Sequence, residues 1–217
     1  MNDLFETSDQ ADIKLQPLAE RLRPKLVDQV IGQSQILDAD APLGAMLGSG
    51  KLCSIIFWGP PGVGKTTLAR LLADQTNLHF EQINAIFTGV SDLKRCFDAA
   101  KIRANNGRGT LLFVDEIHRF NKAQQDGFLP YMEDGTILLV GATTENPSFE
   151  LNAALLSRAQ VMVLSRLSEA ELGDLLKRAE MELGVSLPIS EQARPMLISM
   201  ADGDGRYLLT MASVLTA

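Results

Sequence analysis

The chain has 217 residues, 46% of them hydrophobic and 22% charged, which is ordinary for a globular protein with one sizeable core. Its two cysteines, Cys53 and Cys96, exclude a disulfide framework and a zinc module with four cysteine ligands. Its formal net charge of −7 argues against broad contact with duplex DNA, because surfaces that bind DNA phosphates are usually basic.

The N-terminal residues 1–16 are polar and aperiodic, and we expect a flexible arm there. They lack the basic and apolar regions of a signal peptide, and no apolar run in the chain approaches the roughly 18 residues of a membrane span. We therefore expect a cytoplasmic protein without membrane contact. Residues 10–15, QADIKL, loosely match the peptide that docks on bacterial sliding clamps, which makes a clamp a candidate partner. A plain flexible leader is the alternative.

From Pro17 to Ser165, strand patterns alternate with helix patterns. This alternation predicts an α/β fold over residues 17–165, with a five-stranded parallel sheet and helices on both faces. The predicted strands cover residues 53–58, 79–83, 110–114, 136–142 and 159–164, and the predicted helices cover residues 34–47, 65–76, 91–104, 121–133 and 152–157.

After Ser165 the pattern is helical only, which predicts a small helical lid over residues 166–217. Ser168 and Glu171 form a capping box at the start of its first helix. Further helices are predicted to begin near Ser190 and Gly205. The last one has no terminating Gly or Pro before the chain stops, so we expect an incomplete lid cut from a longer protein.

A phosphate-binding loop follows the first predicted strand, where residues 59–66, GPPGVGKT, match the pattern G-x-x-x-x-G-K-[ST]. Glycine N–H groups at a helix start surround phosphate, Lys65 reaches the β- and γ-phosphates, and the Thr66 hydroxyl binds Mg²⁺. A simple Gly/Pro turn before a helix does not require Lys and Thr after the last glycine. We therefore expect ATP and Mg²⁺ as cofactors, with nucleotide contacts from Gly59, Pro60, Pro61, Gly62, Val63, Gly64, Lys65, Thr66 and Thr67.

Two adjacent carboxylates end the third predicted strand, residues 110–114. Asp115 is suited to hold Mg²⁺ together with Thr66, and Glu116 is placed to polarise the attacking water. A solvated turn is the alternative, but the phosphate loop upstream favours the catalytic interpretation.

Three more polar residues are candidates for the same chemistry. Arg158 directly precedes the last strand and can reach a neighbouring subunit's γ-phosphate, unless it forms a surface ion pair. Arg206 can touch the phosphate from its own chain, unless it only starts a helix. Asn84 can hydrogen-bond Glu116, unless its amide instead hydrogen-bonds buried polar groups of the core. His79 and His118 have no second ligand at helical spacing, so we expect solvated or supporting roles and no metal binding.

The order of these motifs resembles the AAA+ ATPase family, with a phosphate loop, an Asp-Glu strand, Gly141–Thr144 (GATT), Ser157-Arg158 and a helical lid. Residues 17–24, PLAERLRP, and 30–33, VIGQ, resemble the adenine-binding entry of clamp loaders and Holliday-junction motors. Residues 115–126, DEIHRFNKAQQD, and 141–147, GATTENP, closely resemble the replication-associated recombination protein A family, also called the MgsA or Werner-helicase-interacting-protein family.

This resemblance implies a role for each matching residue. Thr144 would orient the lytic water, and Arg158 would be a trans-acting arginine finger. Arg206 would be the second sensor, and Asn84 would be the partner of Glu116. The adenine pocket would be lined by Val30, Ile31 and Gly32.

The resemblance also implies a DNA-dependent ATPase of replication-fork maintenance, repair and recombination, associated with the nucleoid. Implied partners are single-stranded or forked DNA, single-strand-binding protein and other copies of the chain, in a tetramer held by a further C-terminal domain. The alternatives are a clamp-loader subunit, a Holliday-junction branch-migration subunit, and an ATP-gated scaffold for DNA or protein.

Overall fold

The computed structural model describes residues 16–216, so the predicted clamp peptide and all but one residue of the predicted arm lie outside the described residues. The strands are β1 (Ser54–Trp58), β2 (His79–Asn84), β3 (Thr110–Asp115), β4 (Ile137–Thr143) and β5 (Ala159–Val163). The helices are α1 (Leu18–Arg21), α2 (Ser34–Leu37), α3 (Pro42–Ser49), α4 (Lys65–Gln75), α5 (Val90–Asn105), α6 (Lys122–Asp126), α7 (Leu129–Glu133), α8 (Pro147–Glu150), α9 (Ala153–Leu156), α10 (Glu169–Leu183), α11 (Ala193–Ala201) and α12 (Gly205–Leu215), with 3₁₀ turns at Val27–Gln29 and Ile117–Arg119.

The five strands form one parallel sheet in the order β2-β3-β4-β1-β5, which confirms the predicted fold class. Because all strands run the same way, their carboxyl ends meet at one edge of the sheet and their amino ends at the other. The loops after β1, β3 and β4 therefore share one edge, and the residues just before β1 and β5 share the opposite edge.

Helices cover both faces of this sheet. On one face, α5 places Leu93, Phe97 and their neighbours against Leu112 and Val114 of β3. Residues Leu111 and Phe113 alternate with these two along β3 and so point to the other face, where both are fully buried. The helix that follows the phosphate loop, α4, packs against β2, β3 and β4. Burial on both faces explains why the central strands read as continuous apolar runs.

Two predicted helices are each divided in the structure. The helix predicted over residues 34–47 is α2 and α3 with an extended Asp38 between them, and its N-cap is Gln33 in the left-handed region. Pro42 opens α3 because it has no N–H to donate to the Asp38 carbonyl. The helix predicted over residues 121–133 is α6 and α7, where Pro130 likewise cannot donate to Asp126. Helix α8 was not predicted from the sequence.

The described residues group into two compact units. The α/β unit contains residues 26–28 and 33–165. The helical unit contains residues 16–25, 29–32 and 166–216, so the segment around Leu18 packs with the C-terminal helices although we predicted it with the α/β domain. Its core joins α10 and α12 through Leu172, Leu176, Leu208 and Ala212, all nearly inaccessible to solvent.

The predicted capping box at the start of α10 is present. Ser168 accepts from the Glu171 backbone N–H at 3.3 Å, and the Glu171 carboxylate accepts from the Ser168 N–H at 2.7 Å. Among residues 16–216, no helix is long and apolar enough to cross a membrane.

Candidate active site

The phosphate-loop sequence forms the turn between β1 and α4. Gly62 and Gly64 have φ values of 72° and 102°, a region that favours glycine. A Cβ on Gly59 would lie 2.5 Å from the Leu164 carbonyl oxygen, so only glycine fits where the loop leaves the sheet. The first turn of α4 has no side-chain cap, because Gly64 is its N-cap residue. Its backbone N–H groups are therefore available to an anion.

Lys65 is the first residue of α4, and it is 9% exposed. Its Nζ donates to the carbonyl oxygens of Gly59 at 2.6 Å and Pro60 at 2.7 Å. The ammonium group therefore curls back along the loop, on the side where phosphates would lie. A lysine buried this deeply at the start of a helix is well placed for a role toward an anionic ligand.

The two adjacent carboxylates lie at the same edge of the sheet as the phosphate loop. Asp115 is the last residue of β3. Glu116 follows it in the left-handed region, at φ 53°, and begins the 3₁₀ turn Ile117–Arg119. A non-glycine residue in this region stores about 1–2 kcal/mol of backbone strain.

The structure adds Thr143, which we did not predict as part of the site, and brings it together with His118, for which we expected a solvated or supporting role. Thr143, the last residue of β4, is fully buried, and its Oγ1 lies 2.9 Å from His118 Nδ1. The same nitrogen lies 3.4 Å from Glu116 Oε2. The motif D-E-x-H did contain a signal for His118, but nothing local pairs it with β4, which follows only after two further helices. Thr143 was missed because Gly141–Thr144 ends in two threonines and we assigned the role of orienting the lytic water to Thr144.

Asn84 and Thr144, two predicted site residues, also lie near the carboxyl edge of the sheet. Asn84 ends β2, and its Oδ1 accepts from the Ile86 backbone N–H at 2.9 Å. Its side chain therefore supports the turn after β2, and its contact with Glu116 stays a prediction. Thr144 lies just beyond the end of β4 and is partly exposed, at the sheet edge where a lytic water would be held.

Arg158 lies at the opposite edge of the sheet. Ala159 pairs with Ser54, so Arg158 is level with Cys53, before the start of β1. At about 3.3 Å per residue, the path from this level to Gly59 is about 20 Å, far longer than an arginine side chain. Arg158 instead binds Glu133 Oε1 at 2.6 and 2.8 Å and the Ala154 carbonyl oxygen at 2.9 Å.

The remaining predicted residues belong to the helical unit. Ile31 packs against its core, and a Cβ on Gly32 would lie 2.8 Å from Leu167 Cδ2. Val30 lies beside them and is partly exposed. Arg206 is exposed in the first turn of α12. Because these four residues lie in the helical unit and the phosphate loop lies in the α/β unit, their adenine-binding and sensing roles stay predictions.

The groups at the carboxyl edge of the sheet fit a nucleoside triphosphate with Mg²⁺. The uncapped first turn of α4 and the Lys65 ammonium suit phosphate, and Thr66 and Asp115 supply the oxygen ligands that Mg²⁺ prefers. A bound Mg²⁺ would neutralise charge on the phosphates. Glu116 is the carboxylate left to orient water.

Comparisons with known proteins place this chain beside an ATPase family. The model of the ATPase family associated with various cellular activities (AAA) matches residues 55–167. The chain is 46% identical over 206 residues to the Replication-associated recombination protein A of Escherichia coli K12, covering 93% of the chain and 46% of that protein. It is 48% identical over 204 residues to the protein of that name from Coxiella burnetii, covering 92% of the chain and 46% of that protein. The chain thus spans about half the length of these curated relatives.

A solved structure of the RuvB Holliday junction branch migration motor of Thermotoga maritima is also similar. Its TM-score is 0.71 at 31% identity, over 88% of this chain and 64% of that one. The 46% and 48% identities to the Escherichia coli and Coxiella burnetii proteins confirm the predicted resemblance to replication-associated recombination protein A. Since the family model matches more than half of its residues, the chain belongs to the ATPase family associated with various cellular activities.

Proposed function

We propose that this chain is the ATP-hydrolysing part of an oligomeric enzyme that remodels DNA, or proteins bound to DNA, at replication forks during repair and recombination. Within one chain, Lys65 binds the β- and γ-phosphates, Thr66 and Asp115 hold Mg²⁺, and Glu116 orients the attacking water. Thr144 supports that water. The names of the two curated relatives support the link to replication and recombination.

The observation that carries the proposal is the position of Arg158. Its side chain lies at the amino edge of the sheet, about 20 Å from its own phosphate loop by strand rise, and is 38% exposed. A second copy of the chain can present its own phosphate loop to this edge. Arg158 would then stabilise charge on the γ-phosphate of that neighbour, an effect worth about 10³–10⁵ in kcat.

Subunit mixing of the full-length protein tests this arrangement. Arg158→Ala and Glu116→Gln are each expected to abolish most ATP hydrolysis alone. In a mixture, a Glu116→Gln subunit still supplies Arg158 to an adjacent Arg158→Ala subunit, whose own Glu116 is intact. We therefore expect activity to recover in the mixture. Lys65→Ala mixed with Glu116→Gln is the matched control. Lys65 and Glu116 belong to the same chain at each site, so this mixture contains no intact site and should stay inactive. No recovery with Arg158→Ala would contradict a trans-acting arginine.

DNA dependence requires a separate assay. We expect single-stranded or forked DNA to stimulate ATP hydrolysis by the full-length protein more than duplex DNA does. No stimulation by any of the three would contradict a DNA-dependent enzyme. Tetramer formation, contact with single-strand-binding protein and a place in the cytoplasm with the nucleoid are further parts of the proposal, and a sliding clamp is the weakest of the proposed partners.

The similarity to RuvB favours one second candidate, a motor for Holliday-junction branch migration. A four-way junction among the DNA substrates separates the two. Greatest stimulation by the four-way junction, with strand exchange, would favour this second candidate over fork remodelling.

A further inference from the structure

His118 is a buried ring with polar contacts to two residues of the candidate active site. Its side chain is 6% exposed. Nδ1 lies 2.9 Å from Thr143 Oγ1 and 3.4 Å from Glu116 Oε2. The ring therefore stands between the end of β4 and the carboxylate that we propose as the catalytic base.

Thr143 is a firm support for this ring. Its backbone carbonyl oxygen accepts from the Gly59 N–H at 3.1 Å, which joins it to the phosphate loop. Its Oγ1 accepts from the Glu145 N–H at 3.0 Å. With no exposed surface and hydrogen bonds to Gly59 and Glu145, Thr143 has little freedom to move, so a group hydrogen-bonded to it is held equally well.

Glu116 needs such a support. Its backbone is in the left-handed region and its side chain is 28% exposed, so the fold alone leaves the carboxylate several rotamers. The Asn84 oxygen accepts from the Ile86 N–H, and no hydrogen bond joins Asn84 to Glu116 among the described residues. Within the described part of the chain, His118 supplies the side-chain contact of this carboxylate.

One tautomer satisfies the hydrogen bonds of Thr143. When His118 Nδ1 carries the proton, it donates to Thr143 Oγ1, while the Thr143 hydroxyl donates to the Glu145 carbonyl oxygen at 3.3 Å. Glu116 Oε2 lies 3.4 Å from the same Nδ1, in a polar contact that is longer than a good hydrogen bond. We propose that His118 is a positioning residue, which ties the Glu116 carboxylate to Thr143 and so to the phosphate loop. This inference rests on the proposed ATP hydrolysis.

A pair of substitutions at His118 tests the geometry and not merely the presence of a polar group. Asn places its amide where Nδ1 stands, whereas Gln places it closer to Nε2. In the full-length protein, we expect His118→Asn to keep kcat for ATP within about threefold of wild type. A general base contributes about 10²–10⁴, and a small misplacement forfeits part of this, so we expect His118→Gln to lower kcat by about 10–100-fold. The affinity for ATP, measured by binding, should stay within about twofold for both, because His118 does not touch the phosphates.

Substitutions at Thr143 test the same link from its other end. Thr143→Val keeps the shape and removes the hydroxyl, and we expect it to lower kcat. Thr143→Ser keeps the hydroxyl and should retain most of kcat. Because both residues act through one link, Thr143→Val should lower kcat little further in a His118→Gln background. Melting temperatures of all variants show whether a loss comes from unfolding, and the serine variant still tests the link if a His118 variant does not fold.

The reference pair is wild type against Glu116→Gln. Absence of ATP hydrolysis by wild type would overturn the proposed function and this inference with it. Normal wild-type hydrolysis with unchanged kcat in His118→Gln would overturn the inference alone. Equal losses in His118→Asn and His118→Gln, with a lower melting temperature for both, would also overturn it, since they would indicate a structural role.

Discussion

Gln125 is a buried polar side chain whose removal should be costly. It is 1% exposed in α6 and makes three hydrogen bonds to backbone groups. Its Nε2 donates to the carbonyl oxygens of Phe120 at 2.9 Å and Glu150 at 3.1 Å, and its Oε1 accepts from the Asn152 N–H at 2.8 Å. Gln125→Leu keeps the approximate volume and leaves these three groups without their partner.

The magnitude follows from how well water can replace each bond. A buried group left unsatisfied costs about 1–3 kcal/mol. The bond to Phe120 is fully buried, so we assign about 2 kcal/mol to it, and the other two are part-buried, so we assign about 1 kcal/mol to each. The apolar leucine recovers about 1 kcal/mol by burial. We therefore expect the free energy of unfolding to fall by about 3 kcal/mol, or about 6–12 °C in melting temperature.

Urea unfolding, monitored by tryptophan fluorescence, measures the stability of the α/β unit, which contains Gln125. Trp58 is the single tryptophan of the chain and lies in β1, so its emission reports the α/β unit. Gln75→Leu, at an exposed position in α4, is the matched control and should change stability by less than about 0.5 kcal/mol. A loss below about 1 kcal/mol in Gln125→Leu would refute the reasoning, because the three backbone groups would then have found other partners.

Three further predictions concern other parts of the α/β unit. Burial and the nearby Glu81 charge raise the pKa of the Cys96 thiol to about 11, so this thiol stays protonated at pH 8. Iodoacetamide should therefore label only the exposed Cys53 in the folded protein, and rapid labelling of both cysteines would contradict this prediction. Phe128→Ala removes a fully buried ring and should cost about 3–5 kcal/mol in urea unfolding; a loss under about 1.5 kcal/mol would indicate that the site collapses. Glu133→Gln breaks an exposed ion pair with Arg158 and should change stability by less than about 1 kcal/mol, whereas a larger loss on thermal melting would show that the pair is structural.

The sheet, and the phosphate loop and Asp115 at its carboxyl edge, could be predicted because their sequence signals are local. The glycines before Lys65 predict a turn, and the apolar run before Asp115 predicts a buried strand, each within a few residues. The breaks at Pro42 and Pro130 were also visible in the sequence, but we extended both helices across them because the apolar periodicity continued. Proline removes a hydrogen bond whatever the periodicity, so here the local rule should have decided.

The contacts around Glu116 were not predictable in the same way. His118 meets Thr143 because β4 lies beside β3 in the sheet, a fact of strand order that no local pattern contains. The edge assignment of Arg158 has the same origin. Its sequence position before a strand was clear, but its distance from the phosphate loop follows only once β5 is known to pair in parallel with β1.

The two edges of the sheet are joined through Gln125. Phe120, one of its partners, directly follows the 3₁₀ turn that begins at Glu116, and Asn152, another partner, caps α9 through a 2.7 Å bond to the Leu155 N–H. Helix α9 ends just before Arg158. A path of hydrogen bonds between side chains and backbone thus runs from the segment of the proposed catalytic carboxylate to the segment of Arg158. Because each bond is buried or part-buried, movement of either segment strains or breaks a bond along the path. If copies of the chain assemble as we propose, this path would couple Glu116 of one subunit to the arginine that the same subunit presents to the next.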